Sequence, residues 1–107
     1  MIVKTFETKS GQKPVDDFIK EQNQSTIAKI SFRIDLLERF GARLGMPYAK
    51  KITDQLYELR IRGKVEIRII YGFKNNEAVL LHIFKKKQNK IPRKEINTAE
   101  ERFSLID

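Results

Sequence analysis

Two alternating runs meet at Gly63, and nothing else in the chain restricts its fold as strongly. In QLYELRIRGKVEIRIIYGF (residues 55–73), Tyr57, Leu59 and Ile61 share one side of a period of two, and Leu56, Glu58, Arg60 and Arg62 share the other. Beyond Gly63, Val65, Ile67, Ile69 and Tyr71 alternate with Glu66, Arg68 and Ile70. That period belongs to β-strands. A connecting loop Arg62-Gly63-Lys64 sets Ile61 against Val65, Leu59 against Ile67 and Tyr57 against Ile69, so the buried face is wholly apolar. The opposite face then pairs Arg60 with Glu66 and Glu58 with Arg68. A slip of one residue would bring Leu59 opposite Glu66, which a buried face does not tolerate. Gly63 supplies the backbone freedom that a tight loop needs.

The rest of the chain supplies partners for this hairpin. Ile2–Glu7 is rich in β-branched residues and reads as a first strand. In KPVDDFIKEQ (13–22), Pro14 suits the first position of a helix, Asp16 and Asp17 suit its positive end, and Val15, Phe18 and Ile19 form an apolar face. A second helix spans NQSTIAKISFRIDLLERFG (23–41). Ile27, Ile30, Ile34 and Leu37 form its stripe, Phe32, Leu36 and Phe40 widen it, and Gly41 ends it. GARLGMPYAKK (41–51) reads as a loop. Asn75-Asn76 marks a turn, because asparagine tolerates positive φ. EAVLLHIFK (77–85) follows as a strand, with Val79, Leu81 and Ile83 in the core and Leu80, His82, Phe84 and Lys86 on the polar face; a bulge would reverse this parity. Ile96, Ala99 and Phe103 then define a short amphipathic helix opened near Pro92. The order predicts one α+β domain over residues 1–107: β-α-α-β-β-β-α, with an antiparallel sheet and its helices, the two N-terminal ones included, packed on one face.

Several chemistries are excluded at this point. There is no cysteine and a single histidine, His82, so neither disulfides nor a thiolate metal site is available, and no metal or cofactor is expected. No Gly-x-Ser-x-Gly elbow is present. The start of the chain carries no signal peptide or membrane span, which with the lack of cysteine points to the cytoplasm. The net charge of +8 is lopsided. Residues 43–94 hold 14 Lys and Arg against 4 Asp and Glu, a net +10, which leaves −2 for the remainder. Such a one-sided footprint suits a polyanion.

The cations gather around the polar face of the sheet. Arg60 and Arg68 stand with Glu58 and Glu66, Lys86 lies on the last strand, and Lys50, Lys51, Arg62, Lys85, Lys87 and Lys90 flank them. Such charges can simply solvate a sheet face, since cross-strand pairs there contribute a few tenths to about 1 kcal/mol. They also match what RNA cleavage needs. A 2′-hydroxyl attacks the adjacent phosphorus, and the reaction calls for a base, an acid for the departing 5′-oxygen, and cations around the phosphorane. Arginine clamps phosphate oxygens but is a poor base. Lysine crowded by other cations can exchange protons, which makes Lys86 a candidate acid or base, with Glu58 and His82 as the other candidates.

At these residues the chain resembles the HigB-like, phage-derived branch of the RelE/ParE toxin superfamily. The resemblance is carried by Leu56-Tyr57-Glu58-Leu59-Arg60, by Arg68-Ile69-Ile70-Tyr71, and by Leu80 through Lys87. Gly45-Met46-Pro47, Lys50, Pro92, Glu95-Ile96, Ala99 and Arg102 complete it. It implies a RelE-like fold and a toxin held by a cognate helix-turn-helix antitoxin. It also implies a metal-independent mRNA interferase that cuts messages on the ribosome, with Arg60, Arg68 and Lys86 on the family's active positions. Two alternatives stay open on the same residues: a ParE-like gyrase inhibitor, and a non-catalytic nucleic-acid-binding module.

Overall fold

In the computed structural model, which describes residues 1–107, the hairpin forms the centre of a five-stranded sheet. In chain order the elements are β1 (Ile2–Thr5), α1 (Pro14–Lys20), α2 (Gln24–Phe40), β2 (Ala49–Lys51), β3 (Tyr57–Ile61), β4 (Ile67–Lys74), β5 (Glu77–Lys85) and α3 (Arg93–Ser104). The strands lie in the order β1-β5-β4-β3-β2. All neighbours are antiparallel except β1, which runs parallel to β5, so the sheet is mixed rather than purely antiparallel.

The β3–β4 register differs from the expected one by two residues. Ile61 faces Ile67, Leu59 faces Ile69, Tyr57 faces Tyr71, and Arg60 faces Arg68. A shift of two leaves every side chain on its expected face. It also brings Tyr57 onto Tyr71 at 5.5 Å between centroids and edge-on to Phe73 at 5.3 Å, a gain the shorter loop would forfeit. The longer connector leaves Val65 exposed, and Gly63 does not take a positive φ there. Positive φ occurs where expected at Asn75 and Asn76, in the tight β4–β5 turn.

The helices form where their signals lie. Pro14 opens α1, with Asp16 and Asp17 in its first turn. The Asn23 side chain caps α2 by accepting from the Thr26 amide at 2.9 Å, and Gly41 ends it at φ 56. Both helices cover one face of the sheet, where Val15, Ile30 and Leu37 pack with Leu59, Ile61, Ile67, Ile69 and Tyr71. Phe32 and Phe40 do not join this core; they are 55% and 42% exposed, so the buried stripe of α2 is narrower than its apolar residues suggest.

The third helix corrects the one-sided layering. α3 packs on β5 and β4 from the opposite face, where Ala99 meets Phe6, Leu56, Ile70, Val79, Leu81 and Phe84. A bulge in β5 makes this second core possible. Ile70 pairs with His82, but the next residue, Tyr71, pairs with Leu80, so Leu81 is extra. Val79 and Leu81 therefore lie under α3, and Leu80 joins Ile83 under α1 and α2. The expected grouping of Val79 and Leu81 with Ile83 is thus reversed for those two, while His82 and Phe84 keep their face. The segment expected as a loop also contains β2, which pairs Lys50 with Glu58 along the edge of β3. No helix is long and apolar enough to cross a membrane.

Close approach of α3 leaves little room for a side chain at one glycine. A Cβ on Gly72 would stand 2.7 Å from Phe103 Cε1 and 3.1 Å from the Gln55 carbonyl oxygen. Gly72→Ala is expected to cost about 1–3 kcal/mol by overpacking. Urea unfolding measures it, and trimming the ring in a Gly72→Ala, Phe103→Ala double variant should recover part of the loss relative to the two single losses added. An unchanged midpoint for Gly72→Ala would show that α3 is not held this tightly.

Candidate active site

The period of two and the observed register lay the polar face out in rows. Lys50, Glu58, Ile70 and His82 lie across neighbouring strands in one row, and Arg60, Arg68 and Phe84 form the next. Lys86 continues β5, with its amide donating to the Glu66 carbonyl at 2.7 Å. α3 roofs the β5 end of these rows. What stays open is a cleft of about 330 Å³ lined by Lys50, Lys51, Glu58, Arg60, Lys86 and Lys90, with Ile52, Asn89, Ile91 and Ile96 completing its walls. Five cations thus face one carboxylate. Three roomier clefts, of about 360, 420 and 530 Å³, carry a smaller excess of cations or none: the first has Lys29 and Lys64 alone, and the other two have no net positive charge. Positive potential concentrated in a concave surface attracts anions.

An ionic chain runs from this cleft through the sheet to the hairpin loop. Arg60 Nε donates to Glu58 Oε1 at 3.0 Å. Glu58 Oε2 lies 3.6 Å from Arg68 Nε, Arg68 Nη2 lies 3.3 Å from Glu66 Oε1, and Glu66 Oε1 lies 3.9 Å from Arg62 Nη1. The alternation explains how two arginines sit directly opposite each other, a pairing that is repulsive on its own. It also separates their roles. The Arg60 side chain is 15% exposed and lines the cleft, and Glu58 is its only carboxylate partner. Arg68 is 2% exposed, and its remaining nitrogen, Nη1, donates to the Ile67 carbonyl at 3.1 Å. Glu58 is likewise buried, and neither its Oε2 nor Arg68 Nε makes a hydrogen bond of good geometry. Glu58 and Arg68 therefore hold the frame, while Arg60 presents its guanidinium.

At the far end of the chain, burial pushes the Glu66 carboxyl up. The Arg68 hydrogen bond, the Gly63 amide and the charges of Arg68 and Arg62 outweigh it, so the net shift is downward from 4.5. A carboxyl lowered in the folded state stabilises the fold fully above its unfolded value. That contribution disappears as pH falls through the folded value. The stability gap between the natural chain and Glu66→Gln is therefore expected to be largest at neutral pH and to shrink below about pH 4.5, which urea titrations at stepped pH would show. A pH-independent gap would rule this out.

The remaining expected residues divide. Lys50, Lys51, Lys86 and Lys90 do come together with Arg60. His82 does not reach the cleft. It lies beneath α3, with Nε2 at 2.9 Å from Glu95 Oε1, Nδ1 at 3.4 Å from Arg102 Nη1, and its ring stacked on Phe84. Arginine can only donate, so Nδ1 accepts and the Nε2 proton goes to Glu95, which occupies both ring nitrogens. Arg102 also donates to the Leu81 carbonyl at 2.8 Å, and burial lowers its affinity for its proton. Arg62 stays at the hairpin loop, Lys85 shares a face with its partner Ile67, and exposed Lys87 does not line the cleft.

Some neighbours of the site had no charge to announce them. Asn89 and Ile91 sit inside the basic segment that follows β5, where only the lysines attract notice. Met46 approaches Arg60 Nη1 through its sulfur at 3.5 Å. No three His, Cys, Asp or Glu side chains cluster as metal ligands would. A family model described as "Phage derived protein Gp49-like (DUF891)" matches residues 17–104, a span that takes in every residue lining the cleft. No curated protein matches the chain.

Proposed function

The chain belongs to the phage-derived Gp49-like family, a toxin-antitoxin family of the RelE type, and from that premise we propose that it is a toxin that cuts mRNA on the ribosome. The observation that carries this reading is the open cleft of about 330 Å³ whose walls bring together Arg60, Lys50, Lys51, Lys86 and Lys90. The fold alone does not choose among the family's activities.

In the proposed reaction Arg60, held edge-on by Glu58, clamps the scissile phosphate through its free N–H groups. The 2′-oxygen bonds to phosphorus as the bond from phosphorus to the 5′-oxygen breaks. The hydroxyl proton leaves to water at the open side of the cleft. The Lys86 ammonium donates a proton to the departing 5′-oxygen, and the other lysines offset charge building on the phosphorane. The products are a 2′,3′-cyclic phosphate and a free 5′-hydroxyl. His82 takes no part in this scheme, because Glu95 and Arg102 occupy it. A shallow site with so few acid–base groups suits an enzyme whose substrate is positioned by the ribosome.

The family implies an antitoxin partner. We take it to be a small helix-turn-helix protein encoded beside this chain, and the cytoplasm, where ribosomes are, to be the place of action. The test is to express the chain from a controlled promoter and map RNA 5′ ends in translated and untranslated copies of one message. New ends confined to the translated copy are expected. Intact messages accompanied by DNA damage would replace this reading with a gyrase poison. Intact messages without damage would leave only a binding module.

A further inference from the structure

Next to the cationic cleft, at the β2 edge of the sheet, lies a group of exposed apolar side chains that the cleavage scheme does not use. Phe32 is 55% exposed, Met46 is 62% and Tyr48 is 37%. They are tied to one another and to the clamp. The Arg33 guanidinium carbon lies 5.0 Å from the Tyr48 ring centroid and 5.5 Å from that of Phe32. Arg33 Nε donates to the Arg60 carbonyl at 3.1 Å, and the Tyr48 carbonyl accepts from the Arg60 amide at 2.8 Å. Met46 Sδ touches Arg60 Nη1 at 3.5 Å. Met46 thus touches the guanidinium proposed to clamp phosphate, while Tyr48 and the ring-stacked Arg33 are hydrogen-bonded to the main chain of the same residue.

We infer that Met46, Tyr48 and Arg33 form a ledge on which a nucleobase stacks beside the phosphate held at Arg60. This rests on the reading of the cleft as an RNA site and names the part of the substrate that the cleft cannot grip. The ligand chemistry follows from the juxtaposition. A single-stranded nucleotide is anionic at its phosphate and flat and apolar at its base, and aromatic and guanidinium planes are what unpaired bases stack on. A duplex hides its bases, so among nucleic acids the ledge suits an unpaired strand. The β2 segment is thus a base-reading element as well as a source of lysines.

The test is binding, which does not require cleavage. A six-nucleotide RNA with 2′-O-methyl riboses, which cannot be cut, is compared by fluorescence anisotropy with the same backbone lacking its bases. The natural chain is expected to bind the base-bearing strand roughly ten-fold or more tightly than the abasic one. Tyr48→Ala and Met46→Ala should each bring the ratio of base-bearing to abasic affinity down toward one, and Tyr48→Phe should retain it. Lys86→Ala should weaken both strands by a similar factor. Circular dichroism of the exposed-residue variants verifies that they are folded. Equal or undetectable binding of the two strands by the natural chain overturns the inference, as does a Tyr48→Ala loss that falls equally on both. If base-dependent binding holds while messages in cells stay uncut, the ledge stands and the cleavage reading falls.

Discussion

Cells expressing Lys86→Ala are expected to grow normally and to keep their messages whole, with the protein folded as stably as the natural chain. Lys86 is only partly buried, makes no ion pair, and contributes its backbone amide, not its side chain, to the sheet edge. Its removal should therefore leave the urea midpoint within about 0.5 kcal/mol of the natural value. The chemical loss should be much larger. Removing one positioned group that stabilises charge in a transition state costs about 10²–10³ in rate. Lys86→Arg sharpens the test, because it keeps the charge and removes a group able to give up its proton. If Lys86 is the acid, Lys86→Arg should keep RNA affinity and still fail to cut. If it is only a phosphate contact, Lys86→Arg should cut nearly normally. A fully toxic Lys86→Ala would remove the residue from the site altogether. Arg60→Ala is expected to be equally inactive but less clean, since it strips the buried Glu58 of its only well-formed hydrogen bond.

The cleft was legible in the sequence because parity survives errors that register does not. The β3–β4 pairing is two residues from the expected one, yet Glu58, Arg60 and Arg68 still share a face, since an even shift returns every side chain to its side. The bulge at Leu81 was not legible. From Ala78 to Leu81 the strand is apolar on both faces, as a strand covered by helices on both sides must be, and alternation carries no information there. β2 is too short, at three residues, to show any period. The His82 pairing depends on Glu95 and Arg102, which are remote in sequence and reach the histidine only because α3 crosses its strand. Burial was the least legible property. Arg68 and Arg60 look alike in the sequence, and only the packing of a second core around Phe84 and Ile70, with two carboxylates to absorb the charge, separates the enclosed arginine from the accessible one.

That separation makes Arg68 the position with the largest expected effect on stability. Arg68→Ala leaves Glu58 Oε2 enclosed without its counter-charge and frees Glu66 from the closer of its two arginines. Breaking a buried pair in this way costs about 3–5 kcal/mol. A domain of this size has total stability on the order of 5–15 kcal/mol, so the variant should be marginal. It should also lose toxicity, which alone would be mistaken for a catalytic defect. The urea midpoint tells the two apart: Lys86→Ala loses activity at an unchanged midpoint, and Arg68→Ala loses both. A double variant Glu58→Gln, Arg68→Met, which removes the charge together with its partner, should unfold at a higher midpoint than Arg68→Ala. If Arg68→Ala instead proved as stable as the natural chain and failed to cut RNA, the guanidinium would have to reach substrate. Arg68 would then stand beside Arg60 as a phosphate clamp, the role its place in the sequence pattern implies.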